Sequence, residues 1–166
     1  MLENALKLKL LLEKSKKIVI TTHRSPDGDA MGSSLAMCQF LKKIGHTVNI
    51  ITPNNYASFL HWMPGNEDVI IYEENREEAE EITKHSDLIF LMDLNHISRV
   101  ADFRHSINDS NAKKILIDHH QDPDMSIADI IFSDAEICST AQLVYEIIIA
   151  MELNHHIDKS IAECIY

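Results

Sequence analysis

The sequence predicts an α/β fold: a mostly parallel central sheet of about five or six strands with helices on both faces. Short β-branched or apolar runs alternate with helical patterns along the chain, and no internal repeat or linker interrupts the alternation. Length and composition agree, since 166 residues with 45% hydrophobic content and only 4 Gly and 4 Pro suit one packed domain. The same figures exclude a disordered, collagen-like or low-complexity chain.

In order, residues 1–17 mix leucines with Glu and Lys and read as an amphipathic helix. They lack the apolar core and small-residue cleavage site of a signal peptide. Residues 17–22 form a short β-branched run, which length and residue type make a buried strand. A helix opens at 27–29, with Met31, Leu35, Ala36, Phe40, Leu41 and Ile44 at spacings of three and four, and Gly45 where a C-cap belongs. Residues 47–52 are a second strand, stopped by Pro53, then 55–63 a short helix ended by Pro64-Gly65. A third strand is expected over 68–72 and a charged, solvated helix over 75–85. Residues 87–92 are the next strand, 98–107 a helix, 113–117 a fifth strand and 127–132 one more. Ser139-Thr140-Ala141-Gln142 has the spacing of a capping box before a helix through Met151. A last helical pattern starts at Asp158 without a capping residue and runs to Tyr166.

Net charge narrows the function. Fifteen basic against 26 acidic residues leave −11, which argues against a duplex-DNA reader, because such a surface must be positive to displace counterions. No apolar run reaches the roughly 18 residues of a membrane helix. Cys38, Cys138 and Cys164 are too few and scattered for a disulfide framework, so buried thiols in a reducing cytoplasm are expected.

Chemistry gathers at strand ends. In open parallel sheets ligands collect beyond the carboxyl edge, and three strands deliver candidate ligands there: His23 through Asp27 and Asp29, then Asp93, then Asp118-His119-His120. Carboxylate oxygen with imidazole suits manganese or magnesium better than zinc. Asp27 and Asp29 lie in a turn tightened by Pro26 and Gly28, so their carboxylates can diverge toward two ions, with Asp93 able to bridge. Singly, each has a plainer reading: Asp29 as a helix N-cap, Asp93 as a turn residue. Convergence at one edge favours the metal site. His155-His156 reads as a surface pair, and His46, His61, His85 and His105 are expected away from the cleft. Arg24 and Arg99 could reach a substrate phosphate, although a solvated arginine is the plainer reading of both.

The set His23-x-x-x-Asp27-x-Asp29, strand-terminal Asp93 and Asp118-His119-His120 resembles the DHH phosphoesterase superfamily, which includes RecJ-type exonucleases, family II inorganic pyrophosphatases and the nanoRNase/pAp phosphatases. The stretch from Thr22 through Asp27-Gly28-Asp29-Ala30-Met31-Gly32 to Leu35 is most similar to the nanoRNase/pAp phosphatase branch. The resemblance implies two Mn2+ ions, with Mg2+ as a substitute. His23 and Asp27 would hold the first and Asp29 and His119 the second, with Asp93 bridging. Asp118 would orient an imidazole and His120 would contact the scissile phosphate. The ions, about 3.5–4 Å apart, would activate a water and stabilise the leaving oxygen.

The family pattern continues past residue 166 with a further metal-ligating Asp and a smaller substrate-binding domain. Residues 1–166 are therefore expected to be a DHH catalytic domain, incomplete at its C-terminal end and inactive in isolation. The implied substrates are short single-stranded RNA and 3′-phosphoadenosine 5′-phosphate-type nucleotides. Alternatives are pyrophosphate or polyphosphate hydrolysis, and a non-catalytic metal-binding or regulatory module. A homodimer is left open.

Overall fold

The computed structural model describes all residues 1–166. The elements are α1 (Leu2–Leu11), β1 (Lys17–Thr22), α2 (Gly28–Lys43), β2 (Thr47–Thr52), β3 (Ile70–Ile71), α3 (Arg76–Lys84), β4 (Leu88–Met92), α4 (Arg104–Asp109), β5 (Lys113–Asp118), β6 (Ile130–Ser133), α5 (Thr140–Ala150) and α6 (Lys159–Ile165). Six parallel strands stand in the order β3-β2-β1-β4-β5-β6. The chain builds outward from β1, then returns to lay β4 on its other side. The β1/β4 junction is thus where strand order reverses, the place in such sheets where a crevice opens at the carboxyl edge.

Alternation along each central strand feeds two cores. Ile18, Ile20, Leu88, Phe90, Met92, Ile115 and Ile117 enter the larger one with residues of α1, α2, α5 and α6. Val19, Ile89, Leu91 and Leu116 enter the other with Ala79, Val100, Phe103 and Ile107. Continuous apolar runs are what strands covered on both faces require. Helix α2 packs closely on α6: a Cβ at Gly32 would stand 2.5 Å from the Cys164 carbonyl oxygen. No helix is long and apolar enough to cross a membrane.

Several local expectations change. Residues 55–63 make only a 3-10 turn at Ser58–Leu60: Leu60 and Met63 are buried, but Phe59 and Trp62 stay exposed, so little of the segment is packed to stabilise a longer helix. The third strand shrinks to two edge residues, after a 3-10 turn at Asn66–Asp68. The helix expected over 98–107 is a 3-10 segment, Ile97–Phe103, followed by α4; Ala101, at φ 51° and ψ −135°, breaks it. The last strand starts later than expected, since Asp124 folds residues 124–127 into a turn by accepting from the Ser126 N–H and hydroxyl. In α1, Ala5 and Leu8 are buried, but Leu2, Leu6 and Leu10 are exposed, so its amphipathic division is incomplete. Cys38 and Cys164 are buried as expected; Cys138 is exposed, since it precedes α5 at the surface.

Capping also differs in detail. Ser139 accepts from the Gln142 N–H, but the Gln142 amide turns to Glu146 instead of back to Ser139, so only half the expected box forms. Asp158, left without a role in sequence, caps α6 by accepting from the Ile161 N–H.

Candidate metal centre

Strand register sets the site. Thr22 pairs with Met92 and Met92 with Ile117, so His23, Asp93 and Asp118 leave neighbouring strands side by side. Asp93 takes φ 57°, a left-handed conformation that Asp tolerates better than most residues. Its N–H still donates to the Ile117 carbonyl at 2.9 Å, and only 2% of its surface is exposed.

The Asp93 carboxylate stands between two groups of donors. Its Oδ2 lies 3.6 Å from His23 Nε2, which is 4.0 Å from Asp27 Oδ2. Its Oδ1 lies 3.7 Å from His119 Nε2, which is 3.5 Å from Asp29 Oδ2. His23-Asp27-Asp93 and Asp93-His119-His120 each converge closely enough to share one cation.

Backbone contacts aim the imidazoles. His23 Nδ1 is 2.8 Å from the Arg24 carbonyl and His119 Nδ1 is 3.4 Å from that of Ile137. With Nδ1–H donating in each case, Nε2 is left as a lone-pair donor facing carboxylate oxygens. Two acceptors facing each other across 3.5–4.0 Å want a cation between them, and carboxylate oxygen with imidazole is a donor set for divalent metal ions. The residues therefore fit divalent ions.

The two acids flanking Gly28 hold different helices. Asp27 caps α2, its Oδ1 accepting from the Ala30 N–H at 3.0 Å, and keeps Oδ2 toward His23. Asp29 is not the cap of its own helix. It accepts from the N–H groups of Thr140 at 2.8 Å and Ala141 at 2.9 Å, at the start of α5. Thr140 also donates its hydroxyl to Asp93 Oδ1 at 2.8 Å. Sequence reasoning saw Thr140 only as part of a cap; its dual contact has no local signal.

Charge is balanced tightly. Burial pulls His23 down, but Asp93 and the Arg24 carbonyl outweigh it and raise its pKa above the ordinary histidine value. Burial pushes Asp93 up, yet His23, Thr140 and His120 hold it below the usual carboxylate value. Burial and the negative charge of Asp93 raise Asp29 despite the α5 amides.

His120 sits at the mouth. Its Nδ1 is 2.7 Å from Oδ1 of fully buried Asp118, and its Nε2 is 3.3 Å from the Arg99 guanidinium. Because Nδ1 is engaged by Asp118, His120 is less suited to ligation there than Asp29, each of whose oxygens keeps a free lone pair. Asp118 Oδ2 has no partner. The main chain of Arg99 is anchored, its carbonyl accepting from the Arg24 N–H at 2.7 Å. The Arg24 side chain pairs instead with Glu73 at 3.2 Å. His46, His61, His85, His155 and His156 make contacts elsewhere, with Lys16, Tyr56, Glu81 and each other, and none of them nor His105 joins either donor group.

Known proteins share this frame. An exopolyphosphatase-related protein from Bacteroides fragilis, solved as a crystal structure, superposes on the whole chain with a TM-score of 0.97 and 38% identity, covering 48% of that protein. RecJ from Thermus thermophilus, solved in complex with Mn2+, shares the fold at TM-score 0.57 and 17% identity over 95% of this chain and 21% of its own. The Bacillus subtilis bifunctional oligoribonuclease and PAP phosphatase NrnA is 27% identical over 153 residues, which are 90% of this chain and 44% of NrnA. The cyclic-di-AMP phosphodiesterase GdpP of the same organism is 29% identical over 152 residues, 85% of this chain and 22% of GdpP. The chain spans less than half the length of each of these proteins. Residues 17–166 match the DHH family, N-terminal domain, and with that match the chain belongs to the DHH phosphoesterase family.

Proposed function

We propose that the site holds two divalent cations, Mn2+ or Mg2+, and hydrolyses phosphoesters of short oligoribonucleotides and of 3′-phosphoadenosine 5′-phosphate-type nucleotides. One observation carries this reading: the Asp93 carboxylate offers Oδ2 to His23 and Oδ1 to His119, each with a further acid beside it. His23, Asp27 and Asp93 would hold one ion, and Asp29, His119 and Asp93 the other. When bound, such a pair supplies an activated water and neutralises charge on the phosphate.

The chain's own residues supply binding and orientation. His120, its ring held by Asp118 through Nδ1, turns its Nε2 edge to the mouth where the phosphate would sit, and Arg99 beside it donates to a phosphate oxygen. Buried Asp93 and its threonine contact keep the acids in place without reorganisation. The name of NrnA, an oligoribonuclease and PAP phosphatase, supports this substrate class.

The 38% identity to an exopolyphosphatase-related protein favours a second reading, hydrolysis of inorganic polyphosphate or pyrophosphate. The stretch from Thr22 to Leu35, most similar to the nanoRNase/pAp phosphatase branch, ranks this reading second. Turnover of the full-length protein on RNA dinucleotides, 3′-phosphoadenosine 5′-phosphate, cyclic-di-AMP and polyphosphate, each with Mn2+, separates them. Preference for polyphosphate would overturn the nucleotide reading.

A further inference from the structure

We infer that Thr140 is a positioning residue that ties the acids of the two half-sites to the first turn of α5. The inference rests on the two-cation reading above and adds to it the group that sets the acids' separation. Thr140 is fully buried. Its N–H donates to Asp29 Oδ2 and its hydroxyl to Asp93 Oδ1, both at 2.8 Å, while the next N–H, that of Ala141, takes the other Asp29 oxygen at 2.9 Å. Asp29 comes from α2 and Asp93 from the end of β4, so one residue of a third element joins them.

The arrangement has a physical logic. Asp93 is buried and Asp29 half-buried, so their charges repel, and each needs donors that hold it ionised and oriented before a cation arrives. Amide groups at a helix N-terminus supply those donors at fixed positions and carry the positive end of the helix dipole. The Thr140 hydroxyl extends this hold to Asp93. It occupies one lone pair of Oδ1 and leaves another directed at His119. A residue without the hydroxyl would still offer its backbone N–H to Asp29 but would release Asp93.

The test compares Thr140→Val, which keeps shape and removes the hydroxyl, with Thr140→Ser, which keeps the hydroxyl. Manganese binding by titration calorimetry and turnover are measured on the same full-length proteins, with circular dichroism to establish folding. Thr140→Val should fold, bind Mn2+ about 10- to 100-fold more weakly and lose kcat with KM little changed. Thr140→Ser should recover affinity and kcat to within about threefold of the unsubstituted protein. Wild-type Mn2+ affinity in Thr140→Val would overturn the inference and leave the two-cation reading standing, as would Thr140→Ser failing as badly as Thr140→Val. If the unsubstituted protein binds no Mn2+, the two-cation reading fails and the inference falls with it.

Discussion

Asp118, sealed from solvent at the end of β5, holds His120 through a 2.7 Å contact between its Oδ1 and the imidazole Nδ1. The pair determines which ring nitrogen faces the mouth of the site. Asp118→Asn keeps an acceptor but loses the charge that strengthens its hold on the His120 Nδ1–H. Turnover should fall about 10- to 100-fold while bound manganese is unchanged. Loss of metal in step with activity would make Asp118 part of the ion-binding set instead.

Arg99 stands 3.3 Å from His120 and is the guanidinium nearest the acids' opening that is not paired with a carboxylate. Arg99→Ala should raise KM at least tenfold, with a smaller change in kcat, because it would remove the charge-assisted contact proposed for the substrate phosphate. Arg99→Lys should recover only part of the loss, since an ammonium lacks the planar fork. A variant with unaltered KM would return Arg99 to the role of a surface residue.

Close packing of α2 on α6 rests on a missing side chain. Gly32→Ala puts a methyl 2.5 Å from a backbone carbonyl, so the helices must separate. Thermal or denaturant unfolding should show a loss of about 1–3 kcal/mol. Unchanged stability would mean that α6 moves freely against α2.

His46 gives the metal-free protein a pH dependence away from the site. Burial and then Lys16 hold its pKa below the ordinary value of 6.5, and its Nδ1 accepts the Lys16 N–H at 3.1 Å. Above 6.5 the imidazole is neutral in both folded and unfolded chains, and its contribution is fully present. As pH falls below that value the unfolded chain takes up the proton first, so stability is lost until folded His46 also protonates. His46→Asn should flatten the fall in melting temperature below pH 6.5, and an identical slope in both proteins would contradict this.

Strand ends are the most legible part of the chain. Apolar runs that stop at His23, Asp93 and Asp118 announce both strand and ligand edge, because local residue type decides them. The bonds that organise those residues are not local. Asp29 and Thr140 are 111 residues apart and Asp93 and Thr140 are 47 apart, so Asp29 reads as a cap of its own helix when it serves another. The break at Ala101 is equally hidden: alanine favours helix, and the left-handed turn there is imposed by the packing of Val100 and Phe103 into the core beneath.

Manganese content per chain, measured on the unsubstituted full-length protein and on Asp93→Asn, Asp27→Asn and His119→Gln, tests the shared carboxylate most directly. The account predicts two ions in the unsubstituted protein, neither held firmly in Asp93→Asn, and one partly retained in each of the other two, with turnover in Asp93→Asn down at least a thousandfold, or ~4 kcal/mol. Two ions and near-normal turnover in Asp93→Asn would contradict it, and would make Asp93 a turn residue at the end of β4.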